Sequence, residues 1–348
     1  MKIKKTLLIV TLLSLLFACN EDLPNNDSYT GTYENGLFIT NEGPFQSGSG
    51  TLTFIANQGV VVQNAYKNVN NEDLGNIVQS MIFHNDKAYI VVNNSHKIIV
   101  VDRITLKKIA VIEGDNIKNP RYIVAKGNKA YVSNWNNPSN ATDDFIAVID
   151  LETNTVSNTI LVGEGPEDLL IANNQIYVNL QGGWHENNKV AIIDIATENI
   201  TQIITLQNIP NSIVKDANNN IWVLCGNPNR ESDIYGNLVK IVNNQIENTY
   251  QIENEKQPNH LVINNNTLYY NLNGKIYATN TTTTQINTTA ISGFDGSYYT
   301  MNANNNKLYT TNANDYTSEG LLTIYDLNTN VIINTYKTGL IPGSIVFQ

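Results

Sequence analysis

Four histidines, His84, His96, His185 and His260, are the residues of this chain best suited to moving a proton or holding a metal near neutral pH. No two of them stand at metal-ligand spacing, and no Cys/His cluster accompanies them. His84 falls in a turn and is expected to face solvent. His96, His185 and His260 fall where they could approach a common face. Glu42, Glu167, Asp168, Glu186 and Asp295 are acids that could ring the mouth of a channel and hold a cation or a polar ligand. Nucleophilic catalysis needs a nucleophile beside a base, and no such pair is legible. Gly163-Glu164-Gly165 precedes no helix and is no dinucleotide fingerprint; Gly48-Ser49-Gly50 reads as a hairpin loop rather than a hydrolase elbow. No catalytic residue, metal site or cofactor is therefore assigned, and the chain reads as a binding protein rather than an enzyme.

The stronger chemical signal is aromatic. Phe45, Trp135, Trp184, Tyr235 and Tyr316 sit in long polar loops, where a flat face with a polar handle suits a large ring or a sugar. With Glu42, Asn136, His185 and Arg230 from the same loops, they form the candidate ligand-binding set.

Those loops need a scaffold that brings them together, and a repeat of about 45 residues supplies it. A polar turn followed by an apolar strand centred on an aromatic recurs at Phe38, Tyr89, Tyr131, Tyr177, Trp222, Tyr269 and Tyr309. A second strand follows, as in Ile98-Ile99-Val100-Val101-Asp102. It ends in Asp-x-x-Thr at Asp102/Thr105, Asp150/Thr153, Asp194/Thr197 and Asp326/Thr329. These carboxylates are turn residues, since an Asp opening a tight turn bonds the backbone two residues on. A third strand and a short connection come next, the latter often with proline (Pro120, Pro166, Pro210, Pro258, Pro342), and then a further apolar strand. Four short strands per unit, repeated around an axis, give an all-β seven-bladed propeller of four-stranded antiparallel blades over 36–348. The first unit lacks one strand, and the C-terminal Ser344-Ile345-Val346-Phe347-Gln348 supplies it, leaving no open sheet edge. No stretch shows sustained helical periodicity. The proline connections and the long loops then share one face, and the short Asp turns take the other.

The N-terminus sets the compartment. Lys2, Lys4 and Lys5 precede an apolar run from Leu7 to Phe17, too short for a mature membrane span and right for a signal-peptide core. Residues 1–18 are read as that signal. Leu16-Phe17-Ala18-Cys19 resembles the lipobox of bacterial lipoproteins, which implies lipidation of Cys19. Asn20-Glu21-Asp22 resembles the surface-export signal of Bacteroidota lipoproteins. Residues 19–35 then form a polar tether from a lipid anchor, and the expected location is the outer membrane, exposed at the cell surface. With Cys19 lipidated, Cys225 has no partner and reads as a small core residue. Setting aside Lys2, Lys4 and Lys5 leaves 18 of the 21 basic residues against 31 acidic ones. Nucleic acid, whose phosphates need basic side chains, is not an expected partner.

Lys129-Ala130-Tyr131-Val132-Ser133-Asn134-Trp135, Ile146-Ala147-Val148-Ile149-Asp150 and Gly163-Glu164-Gly165-Pro166-Glu167-Asp168 resemble the YncE-like seven-bladed propellers. Phe38-Ile39-Thr40-Asn41-Glu42-Gly43 is similar to a Bacteroidota lipoprotein family within that group, to which surface cobalamin-binding lipoproteins belong. The resemblance covers essentially all of 36–348. It implies capture of cobalamin or another corrinoid and transfer to a TonB-dependent outer-membrane transporter. A protein-interaction scaffold at the cell surface, or a propeller lactonase or hydrolase, stays open as an alternative.

Overall fold

The computed structural model describes residues 31–227, 235–252 and 257–348. The signal segment, Cys19 and Arg230 lie outside the described residues. The rest is a ring of seven antiparallel sheets. All seven repeat anchors are buried, with Phe38, Tyr131 and Trp222 fully so. Their strands alternate apolar side chains on both faces because each blade is covered on both sides by its neighbours. Tyr131, Ile146 and Val148 of the third blade pack on Ile176, Val178 and Ala191 of the fourth, and the same contact repeats around the ring. Cys225 sits in such a seam, and burial pushes its thiol pKa up.

The first blade is closed as expected. Its strand Gly36–Asn41 pairs with Thr51–Ala56 on one side and with the C-terminal Pro342–Phe347 on the other. Two details differ from the sequence reading. The third strand of this blade ends after Val61–Val62, and a one-turn helix, Ala65–Asn70, takes over, flanked by left-handed Asn64 and Asn71. The sixth blade has three described strands, Asn259–Asn264, Thr267–Leu272 and Lys275–Asn280. The following segment, with four consecutive threonines at 281–284, lacks the apolar alternation a fourth strand needs, and that edge is met instead by an isolated Lys275–Asp295 bridge and by the Ile291 N–H, which donates to the Ile276 carbonyl. Asp295 is therefore on the blade's outer edge and not at the channel mouth.

The Asp-x-x-Thr turns are structural, as their spacing implies. Asp102 Oδ1 accepts from the backbone N–H groups of Ile104 and Thr105 and from the Thr105 hydroxyl. Asp150, Asp194 and Asp326 repeat the pattern. Hydrogen bonds from the backbone hold all four carboxyl groups below the usual pKa range.

Candidate functional site

The innermost strands build the site. Six of the seven carry a β-bulge near their start: Val78–His84, Pro120–Lys126, Pro166–Ala172, Ile209–Lys215, Asn259–Asn264 and Pro342–Phe347. A bulge leaves a residue out of the ladder and re-aims its side chain. Register alignment puts Gln79, Arg121, Glu167, Asn211, His260, Tyr299 and Gly343 at one equivalent position, one per blade. Ser80, Tyr122, Asp168, Ser212, Leu261, Thr300 and Ser344 occupy the next. All but Ser80 line one cavity of about 1280 Å³ at the channel mouth.

The first of these rings is cross-linked between blades. Arg121 Nη1 donates to Gln79 Oε1 at 2.7 Å, and its Nε donates to Glu167 Oε1 at 2.9 Å. Asn211 Nδ2 donates to the Pro258 carbonyl at 2.6 Å. His260 Nε2 lies 3.1 Å from the Tyr298 carbonyl; burial lowers its pKa to about 4, so the ring is neutral and that nitrogen carries the proton. Glycine at 343 leaves a gap, and Glu42 from the first-blade loop fills it: a Cβ on Gly343 would come within 3.0 Å of Glu42 Oε1. Tyr299 donates its hydroxyl to that same carboxylate at 2.8 Å.

Electrostatics follow from burial. Arg121 faces Glu42, Glu167 and Asp168. Burial raises the pKa of Glu42 and of Glu167 against the pull of Arg121. Asp168, pushed further by the neighbouring Glu167, rises to about 7. Burial opposes the charge on Arg121, yet Glu167, Tyr122 and Glu42 together outweigh it, and its pKa is raised too.

The walls come from the long loops. Trp135 lies with its ring 4.4 Å from the Arg121 guanidinium, and its Nε1 donates to the Pro166 carbonyl at 3.2 Å. It is therefore a half-buried brace that offers an edge to the cavity. Phe45 and Trp184 line the same cavity and are 69% and 70% exposed, free to meet a ligand. His185 lines it as well and pairs through Nδ1 with Glu164. The wall turns tightly at Gly165, where φ is +67° and a Cβ would stand 2.1 Å from the Gly183 nitrogen. Only glycine fits that approach.

Glu42, Phe45, Trp135, Trp184 and His185 of the sequence-derived set are thus brought together, along with His96, His260, Glu167, Asp168 and Glu186. Asn136 is not among the lining residues; its carbonyl accepts from Asn119 and its N–H donates to Lys118, which fixes the loop. Tyr235 is half-buried away from the cavity, its carbonyl bonded by Asn208. Tyr316 is 58% exposed and packs edge-on against Tyr299, one layer outside the cavity. His84 does not simply face solvent; its Nε2 is 2.7 Å from the Gly127 carbonyl of the next blade. Sequence reasoning missed Gln79, Arg121, Tyr122, Asn211 and Tyr299. Arg121 and Asn211 directly follow a connection proline, a signal that Gln79 and Tyr299 at the equivalent position lack. Among the described residues, no three His, Cys, Asp or Glu side chains are grouped to hold a metal ion, and no helix is long and apolar enough to cross a membrane.

One buried acid braces the wall. Asp144 is 3% exposed and accepts the Gly165 N–H at 2.7 Å; burial raises its pKa to about 7, with Asp143 and Glu164 adding to the rise. Between about pH 4 and 7 the folded protein keeps a proton that an unfolded aspartate has released, so stability falls as pH rises through that window. Asp144→Asn keeps an acceptor for Gly165 and removes the penalty. Thermal unfolding should show the variant more stable than wild type at pH 8 and close to it at pH 4. Equal melting curves at pH 8 would contradict the buried-acid account.

Among solved structures, the chain is similar to a quinonprotein alcohol dehydrogenase-like protein from Bacteroides thetaiotaomicron: 19% identity, 91% of this chain and 79% of that one, TM-score 0.65. It is also similar to hydrazine synthase from Kuenenia stuttgartiensis, at 14% identity over 83% of this chain and 89% of that one, TM-score 0.59. The computationally designed Ika8 protein matches at 12% identity over 87% and 89%, TM-score 0.57. At these identities the likeness is one of fold. No curated protein sequence matches the chain. A family profile described as a domain of unknown function (DUF5074) matches residues 35–257, and the chain, a seven-bladed propeller, belongs to that family.

Proposed function

We propose that the protein is a surface-anchored capture protein that holds a large polar ligand, cobalamin or another corrinoid, over the channel mouth and passes it to a TonB-dependent outer-membrane transporter. The observation that carries the reading is the cavity itself. At about 1280 Å³ it exceeds the roughly 300–1,000 Å³ of ordinary small-molecule pockets. Its floor is polar and pre-organised by cross-blade hydrogen bonds, and its rim presents Phe45 and Trp184 unpaired. Rigid floors with free aromatic rims favour tight binding, because little is left to order when the ligand arrives. The lipid anchor and the transporter come from the resemblance of the N-terminus and of the blades.

Isothermal titration of the purified protein with cyanocobalamin tests this. Saturable one-to-one binding is expected, and Trp184→Ala or Phe45→Ala should weaken it about tenfold, the usual scale for an aromatic anchor. Absence of heat together with an unchanged melting temperature would remove corrinoids. Ligand-independent co-purification with a transporter barrel would then favour the scaffold.

A further inference from the structure

The two rings of the channel mouth differ in how far their polar groups are already engaged. In the first ring every polar side chain has a partner: Gln79, Arg121 and Glu167 with one another, Asn211 with Pro258, His260 with Tyr298 and Tyr299 with Glu42. In the second ring Ser80 donates to the Arg121 carbonyl, and Ser212 accepts from the Leu261 N–H. Tyr122 and Asp168 stand at equivalent positions on adjacent blades and line the cavity, and their side chains make no hydrogen bond among the described residues. Glu42 and Glu167 are each held by a donor; Asp168 is the floor carboxyl left without one. They are close enough that the Asp168 charge helps raise the Tyr122 hydroxyl's pKa, after burial.

We infer that Tyr122 and Asp168 form a subsite for an N–H-bearing group of the ligand, a carboxamide or an ammonium, with Asp168 as the specificity-determining acceptor. A carboxamide presents a donor and an acceptor side by side, which complements the Asp168 carboxyl and the Tyr122 hydroxyl. An ammonium complements the excess of carboxyl groups over the lone Arg121 guanidinium. A half-buried acceptor with no partner discriminates strongly, since a ligand lacking the donor leaves it desolvated and unpaired. The inference rests on reading this cavity as a binding site but needs no corrinoid.

Fragment-sized probes make the test independent of the natural ligand. Benzamide and benzylamine carry the N–H group; acetophenone and ethylbenzene match them in shape and donate no hydrogen bond. Dissociation constants follow from ligand-observed NMR at millimolar concentration. Wild type is expected to prefer at least one N–H probe over its match by about tenfold, the scale of a hydrogen bond to a charged group. Preference within the amide pair identifies a carboxamide, and preference within the amine pair an ammonium. Asp168→Leu should abolish the preference; Leu261 at the equivalent position of the sixth blade shows that the strand accepts leucine there. Asp168→Asn, which keeps the shape, should lose the amine preference first. Equal binding of probe and match, no saturable binding of either N–H probe, or a preference that survives Asp168→Leu in a folded variant would each overturn the assignment. A failed cyanocobalamin titration would leave this result untouched.

Discussion

A chain ending at Ile341 is expected not to reach the native state. The removed residues supply the strand Pro342–Phe347, which pairs from Leu37↔Phe347 to Asn41↔Pro342 and closes the ring. They also supply Ile345 in the seam between the seventh and first blades, and the Phe347 ring set edge-on to Tyr309 at 4.8 Å. Thr311 and Asn302 would lose the carbonyls of Pro342 and Ile345 as acceptors. The loss combines an open strand edge, several unpaired buried polar groups and exposed apolar surface. Together these are comparable with the whole stability of a domain, about 5–15 kcal/mol. Far-UV circular dichroism with size-exclusion chromatography reads the outcome: loss of cooperative unfolding, or aggregation. Adding the peptide Pro342–Gln348 in trans should restore part of the transition. A truncated chain that melts like wild type would show that the first blade does not depend on its last strand.

Arg121→Met should be the most damaging single substitution in the channel mouth. The guanidinium serves Glu167, Gln79 and the face of Trp135 at once. Methionine fills much of the same volume but leaves Glu167, 5% exposed, as an uncompensated buried carboxylate. Removing one partner of a buried ion pair costs about 3–5 kcal/mol. Chemical denaturation should show that loss, and ligand binding at the cavity should fall with it. Arg121→Met combined with Glu167→Gln should recover a large part of the stability, because the charge left behind is gone. A single variant within about 1 kcal/mol of wild type would mean that water already screens the pair.

The architecture was legible because it repeats. Seven aromatic anchors in apolar strands, several of them after Asn-containing turns, announce the blades, and the unpaired C-terminal strand announces the closure. The sixth blade broke the pattern where the polar threonine run at 281–284 replaced apolar alternation. The site was only half legible. Long loops with tryptophan mark themselves, so Trp135 and Trp184 were found, yet their different roles depend on what each packs against. Trp135 is held by Arg121 and Pro166, whereas Trp184 is free. Loop membership alone did not place Asn136, Tyr235 or Tyr316, since a loop touches the cavity only where its chain turns inward. Of the floor, only Glu167, Asp168 and His260 were singled out, and the rest escaped notice because bulges create it. Arg121 and Tyr122 read as the continuation of an ordinary strand, and only the register gap between Pro120 and Ile123 shows that they leave the ladder.

Those bulges separate two demands that most binding sites make on the same residues. In the six bulged inner strands the ladder is held by the residues on either side of the gap, and the residues within it contribute little pairing. The backbone has accepted glutamine, arginine, glutamate, asparagine, histidine, tyrosine and glycine at one equivalent position within a single chain. The channel mouth therefore presents seven equivalent positions on one repeated frame, and positions linked across blades, such as Arg121 and Glu167, must change together. New ligand preferences can arise there by changing side chains singly or in neighbouring pairs, while the blades that carry them keep their shape.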